Sequence, residues 1–236
     1  MNCLIIAAGL GSRLRSVADS KPLTRVCGVP LIEHVIRAAA VGGAGRFHVA
    51  TGHEADRLEA FLAALAQRTD LEIRTVRVPD WTRANGHSVI AGADRIDGDY
   101  LLLMSDHLFD PEIVRALSRA PRPAGLRLAV DRDLARPSLD LDDATKVALG
   151  DDGRIVSIGK SLERYDAVDT GIFHATPALA VAIREAIAAG GGGGLSEGVQ
   201  LLADRGAAET MDVAGRFWLD VDDPPSLEMA EAMIGA

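Results

Sequence analysis

Gly9, Gly11, Arg13 and Lys21 follow one another closely, directly after the apolar run CLIIAA at residues 3–8. Glycines let backbone N–H groups approach an anion, and a guanidinium and an ammonium beside them supply the balancing charge. This is the equipment of a phosphate loop. It is neither of the two commonest kinds. Gly9 and Gly11 begin a GxGxxG match, but Leu14 takes the third glycine position, so the dinucleotide fingerprint fails; no GK[ST] follows to make a Walker loop.

Three carboxylates point to a metal beside that loop. Asp106 leaves the apolar run YLLLM (100–104), while Asp220 and Asp222 stand two apart in FWLDVDD (217–223). If that segment is extended, both side chains face one side. Oxygen ligands of this kind suit Mg2+, which is usually held by one or two carboxylates plus substrate phosphates. Asp222 also stands where the cap of a helix starting at the following prolines is expected. Of 25 basic residues only Lys21, Lys146 and Lys160 are lysines, in the settings SKPL, ATKV and IGKSL. Lysines kept where arginine otherwise prevails mark positions at which a compact ammonium serves and a planar fork does not. His34 and His48 fall in regular elements. His107, next to Asp106, is expected to shape the site rather than to ligate a metal, because no His/Cys/Asp cluster has zinc spacing. No nucleophile motif such as GxSxG occurs, so covalent catalysis has no support.

The elements that must position these residues alternate. Residues 3–8, 47–51, 71–78 and 100–104 read as strands, the first and last apolar throughout as in strands buried on both faces. Between them, Leu31 to Ala39 and Leu58 to Leu65 carry helical spacing. Residues 125–131, 145–149, 154–159 and 167–175 are shorter strands, with a hairpin turn at 151–153. A helix from Pro177, a glycine run at 190–194 read as a surface loop, a helix from Ser196 and a last helix after Pro224 follow. The expected fold is α/β: a single-domain, Rossmann-like (GT-A-like) mixed and mostly parallel sheet flanked by helices. Residues 1–236 are expected to form one domain, with a nucleotide-binding half at 1–120 and an acceptor-binding half at 121–236. Ligands of such sheets bind at the carboxyl ends of the strands, where the glycine loop and Asp106 both fall.

Composition narrows the partners. With 236 residues, 48% hydrophobic and 25% charged, the chain has the makeup of a globular protein. A net charge of −9 argues against nucleic acid or an anionic membrane, and 4% aromatic content offers no stacking platform for single strands. Cys3 and Cys27 make no disulfide framework, and no run approaches the ~18 apolar residues of a membrane span. The expectation is a cytoplasmic protein, not inserted in a membrane.

AAGLGSRL…KPL (7–23), SDH (105–107) and WLDVDDP (218–224) resemble the nucleotidyltransferases that join NTPs to sugar or alcohol phosphates. Within them, RANGHSV (83–89), SDHLF (105–109), DATKV (143–147) and IGKSLERYDAVDTGIF (158–173) are similar to the CTP:inositol-1-phosphate cytidylyltransferases. Gly159 stands where the hexose branch has a glutamate, which argues against a hexose acceptor. The resemblance implies CTP and a phosphomonoester as substrates and Mg2+ as cofactor, and it implies roles. Ala7, Ala8, Gly9, Gly11 and Ser12 would cradle the triphosphate, with Arg13 and Lys21 as catalytic cations on the β/γ- and α-phosphates. Asn85, Gly86 and Ser88 would read the base. Asp106, Asp220 and Asp222 would hold Mg2+; Lys146, Lys160 and Asp169 would bind the acceptor, Lys160 its phosphate and Asp169 its ring hydroxyls. The inositol enzymes are often fused to a membrane-bound alcohol-phosphate transferase, so a separate downstream enzyme is expected here. Other readings stay open: phosphocholine, aminoethylphosphonate or a sugar 1-phosphate as acceptor, a glycosyltransferase of related fold, or an inactive nucleotide sensor.

Overall fold

The computed structural model describes residues 1–14 and 19–235. The chain opens with β1 (Asn2–Ala7), a small ribbon of β2 (Arg25–Val26) and β3 (Val29–Pro30), and helix α1 (Leu31–Val41). Then come β4 (Arg46–Thr51), α2 (Ala55–Thr69), β5 (Glu72–Arg77), α3 (Gly86–Ala93) and β6 (Tyr100–Met104). β7 (His107–Phe109), α4 (Pro111–Arg119), β8 (Leu126–Asp131), β9 (Lys146–Leu149), β10 (Ile155–Gly159) and β11 (Ala167–Ala175) follow. The chain closes with α5 (Ala178–Ala188), α6 (Leu195–Asp204), β12 (Ala208–Asp212), β13 (Trp218–Asp220) and α7 (Pro224–Ile234).

The main sheet has the order β10-β9-β11-β6-β1-β4-β5, with β8 beside β11 and β12 beside β8. β5, β4, β1 and β6 pair in parallel, whereas β11 runs antiparallel to β6, β8 and β9. This is the expected α/β, Rossmann-like mixed sheet, and strands from both halves of the chain share it. From β1 the chain passes outward through β4 and β5, then returns to pair β6 on the other side. The order therefore reverses at β1, and the crevice at its carboxyl end is the place where such sheets hold ligands.

Both faces are covered, which is why β1 and β6 are apolar throughout. Cys3, Ile5 and Ala7 join Leu101 and Leu103 in a core with residues of α1, α2 and α4. Leu4, Tyr100 and Leu102 pack on the opposite face with residues of α3, α5 and α6. A third, smaller core joins Leu14, Leu31, Leu108, Leu219, Val221 and Leu227. It ties the loop after β1 to the β7–β13 pair and to α7, the elements that carry Arg13, His107 and Asp220.

Several elements fall outside the sequence patterns. α3 has the sequence GHSVIAGA, whose two glycines disfavour a helix. They are there for close packing: a Cβ on Gly86 would lie 2.3 Å from the Gly193 carbonyl oxygen, and one on Gly92 would lie 2.2 Å from Leu4 Cδ1. α4, β12 and the β7–β13 pair are further additions. The glycine run at 190–194 is the connection between α5 and α6, as expected. No described helix is long and apolar enough to cross a membrane.

Candidate active site

Residues 8–11 turn over the carboxyl end of β1. Gly11 has φ of +62°, and a Cβ there would sit 2.4 Å from Lys21 Cβ. Glycine is thus needed both for the left-handed backbone and for the space Lys21 fills. Lys21 is itself nearly buried and pairs with Asp106 and Asp222. A cavity of about 260 Å3 opens over this loop. Of the residues predicted for a nucleotide, Ala7, Ala8, Gly9 and Gly11 line it from below. Lys21, Asn85, Ser88 and Asp106 line its sides, together with Trp81. Gly86 lies buried against the Gly193 carbonyl, so packing accounts for it. The Asn85 side-chain oxygen accepts the Leu195 N–H (2.8 Å), which fixes the start of α6. The side chain of Ser12 lies outside the described residues.

Trp81 was not singled out by the sequence. Its ring centroid is 5.1 Å from that of His53, and a Cβ on Gly52 would lie 2.4 Å from Trp81 Cβ. Gly52 follows β4 in the sequence, and a glycine that admits a neighbouring side chain is legible only once the neighbour is known.

The register of β7 and β13 sets Asp220 opposite His107. Asp106, His107 and Asp220 each bring a ligand atom within 4.8 Å of the others. His107 Nδ1 is 2.7 Å from the Thr170 carbonyl oxygen. Donation there leaves the lone pair of the neutral ring on Nε2, which lies 3.4 Å from Asp220 Oδ1 and 3.7 Å from Asp106 Oδ1. A carbonyl that fixes the far ring nitrogen is how metal-binding histidines are oriented. Asp220 Oδ1 is buried and, despite the nearby imidazole, has no aligned hydrogen-bond donor. Two carboxylates, one with an orphaned buried oxygen, fit a divalent cation. Without one, burial disfavours charge on both Asp220 and His107, but their mutual attraction outweighs it: the imidazole is raised and the Asp220 carboxyl lowered. His107, expected only to shape the site, stands among the three residues close enough together to share a cation.

Room for that imidazole comes from β11. Gly171 has φ of +73°, and a Cβ there would lie 2.4 Å from His107 Nδ1. The β11 register with β8 shifts between Asp169 and Phe173. A glycine inside a strand pattern is the sequence signal of such a bulge. Asp169 Oδ1 accepts the Gly171 N–H (2.7 Å), yet burial pushes the Asp169 carboxyl up to about 6.

Asp222 departs from expectation in two respects. β13 ends at Asp220, and Asp222 turns to Lys21 and Arg13, outside the group of three, although it lines the same cavity as Asp220. Nor is it the cap of α7. Asp223 is, in a reciprocal capping box with Ser226.

A second cavity, of about 390 Å3, adjoins the first, sharing Asn85 and Met104 as walls. Arg13, Lys160, Asp169, Asp220 and Trp218 line it. Lys160 follows β10, and its Nζ lies 2.6 Å from Asp143 Oδ1. Lys146 does not line the cavity. Its Nζ donates to the Lys160 carbonyl (2.8 Å) and sits 5.6 Å from the Tyr165 ring centroid, so it holds the backbone that carries Lys160. Trp218 is fixed by its indole N–H, which donates to the buried Asp131 (2.7 Å). The side chains form one line of alternating charge: Asp106, Lys21, Asp222, Arg13, Asp143, Lys160.

Two adjoining cavities that meet at an acidic centre, one over a glycine loop, suit transfer between two anionic substrates. The family of MobA-like NTP transferase domains matches residues 3–204. This chain belongs to that family. It is 37% identical to the bifunctional IPC transferase and DIPP synthase of Rubrobacter xylanophilus, over 98% of this chain and 51% of that protein. The protein of the same name from Aquifex aeolicus is 30% identical, over 97% of this chain and 50% of the relative. The chain thus spans about half the length of these curated relatives. Among solved structures, the inositol-1-phosphate CTP transferase from T. maritima shares the fold, with a TM-score of 0.87 over 99% of this chain and 94% of that one at 23% identity. The resemblance to nucleotidyltransferases drawn from the motifs is borne out.

Proposed function

We propose that this chain joins CTP to the phosphate of inositol 1-phosphate, giving CDP-inositol and pyrophosphate. The observation that carries the reading is the pair of cavities meeting at Asp106, His107 and Asp220, with Lys21 on one side and Lys160 on the other. The names of the relatives and of the solved neighbour support the choice of base and acceptor.

In this reading residues 1–120 supply most of the nucleotide site and residues 121–236 most of the acceptor site, within one domain. The N–H groups of residues 8–11 face the triphosphate, with Lys21 at the α-phosphate and Arg13 toward the β and γ. Asn85, Gly86 and Ser88 frame the base, with Trp81 as a further wall. Asp106 and Asp220, with His107 beside them, would hold Mg2+, which supplies stabilisation for charge on the phosphoryl oxygens. Asp222 holds Lys21 and Arg13 until phosphate takes them. Lys160, braced by Lys146, holds the acceptor phosphate, and Asp169 meets its hydroxyls.

The acceptor oxygen attacks the α-phosphorus in line and pyrophosphate leaves. A phosphomonoester has its second pKa near ~6 and is largely dianionic at pH 7, so no general base is required. Repulsion between two polyanions is the obstacle, and fixed cations answer it. In this reading the reaction takes place in the cytoplasm, and an alcohol-phosphate transferase consumes the product. A pyrophosphate-release screen of four NTPs against a panel of phosphomonoesters tests this. Release with CTP and inositol 1-phosphate is expected; a preference for another nucleotide or for a hexose 1-phosphate would move the chain to another branch.

A further inference from the structure

The line of alternating charge has one link that the reaction does not explain. Asp222 neighbours the metal-binding group, so a carboxylate freed there has a cation at hand. Asp143 has none. It lies outside the acidic group of three, and its two oxygens are divided between Arg13 Nη2 (2.7 Å) and Lys160 Nζ (2.6 Å). Among the described residues it is the one carboxylate paired with both. The Lys160 ammonium, and after it Arg13, holds the Asp143 carboxyl below its ordinary value despite partial burial. The loop is held too: the Ala144 N–H donates to the Asp140 carbonyl (2.9 Å), and Lys146 anchors the backbone of Lys160.

We propose that Asp143 is a built-in competing anion that occupies Arg13 and Lys160 in the free protein and couples the two substrate sites negatively. The inference rests on reading Arg13 and Lys160 as the cations of the triphosphate and of the acceptor phosphate. The physics is that of a shared counterion. When one phosphate takes Arg13, Asp143 keeps only Lys160 and pairs with it more strongly, so the second phosphate meets a lysine harder to free. Binding in the reverse order gives the same weakening, because coupling between sites is reciprocal. Asp143 is thereby a positioning residue. It holds both cations facing the cavity and imposes a cost on filling either half, larger once the other half is filled. The pairs are half-exposed, so the effect is a small multiple rather than orders of magnitude.

The test is calorimetry on the full chain at low ionic strength, with inorganic pyrophosphate and inorganic phosphate as unreactive probes. Wild type, Asp143→Asn and Asp143→Glu are compared after thermal melts show each is folded. Asp143→Asn should bind pyrophosphate about threefold more tightly than wild type. The factor by which pyrophosphate weakens phosphate should be about threefold larger in wild type than in Asp143→Asn, and Asp143→Glu should restore it. A structural role alone would leave that ratio unchanged. Unchanged or weaker binding in Asp143→Asn, or equal coupling in all three, overturns the proposal. Should wild type fail to release pyrophosphate from CTP while these binding differences persist, the assigned reaction falls and the competing anion stands.

Discussion

Asp106 is shared between Lys21 and the acidic centre, so in the proposed reaction its charge would serve both the phosphate side and the metal side. Asp106→Asn keeps the shape and removes the charge. Turnover should fall by ~10²-fold or more, the scale seen when one electrostatic stabiliser is lost. Lys21 retains Asp222, so the melting temperature should move little. Near-normal kcat at saturating Mg2+ would contradict the assignment. Lys160 offers a different contrast, because arginine preserves its charge but not its shape. A displacement of ~1 Å in an in-line site costs on the order of 10²-fold, so Lys160→Arg should lower kcat/KM for the acceptor by about that much. Binding of CTP, titrated without acceptor, should stay the same. The exposed Arg119 on α4 provides the control: Arg119→Lys should be silent, and an equally silent Lys160→Arg would place the acceptor elsewhere.

At the scale of elements, packing around α3 is a sensitive point. Gly86→Ala puts a Cβ 2.3 Å from the Gly193 carbonyl, which is backbone and cannot swing aside. Thermal melts should show a loss of about 1–3 kcal/mol, the usual cost of overpacking; an unshifted melt would mean that the glycine run yields freely. In β4, His48 is buried, its Nδ1 has no partner, and burial first, then Arg74 and Arg46, hold its pKa below the ordinary value. The unfolded chain takes up a proton as pH falls below about 6.5 while the folded chain resists. The stability His48 contributes is therefore present above that pH and lost below it. Between pH 7.5 and 5.5, wild type should lose more stability in urea than His48→Asn; equal losses would show that the ring does not titrate in this way. These elements also show what the sequence can and cannot reveal. β1 and β6 were legible because strands covered on both faces are apolar throughout. α3 was not, because its glycines answer to Leu4 and Gly193, neighbours that only the folded chain supplies. Lys21, Asp106 and Lys160 stood out by residue type and setting. Asp143 did not, because its partner Arg13 lies 130 positions away.

The whole molecule converges on one crevice. The sheet reverses its order at β1, and the third core binds the glycine loop to β7, β13 and α7 across most of the chain's length. Two cavities open there, and their cations are divided between them. The central claim is that a phosphate oxygen of one substrate attacks the α-phosphorus of the other and expels pyrophosphate. The most direct measurement follows CTP, Mg2+ and inositol 1-phosphate bearing 18O in its phosphate, with mass analysis of both products. The account predicts CDP-inositol and pyrophosphate in equal amounts, with all the label in CDP-inositol and none in pyrophosphate. Label in the pyrophosphate, or consumption of CTP without CDP-inositol, would contradict it.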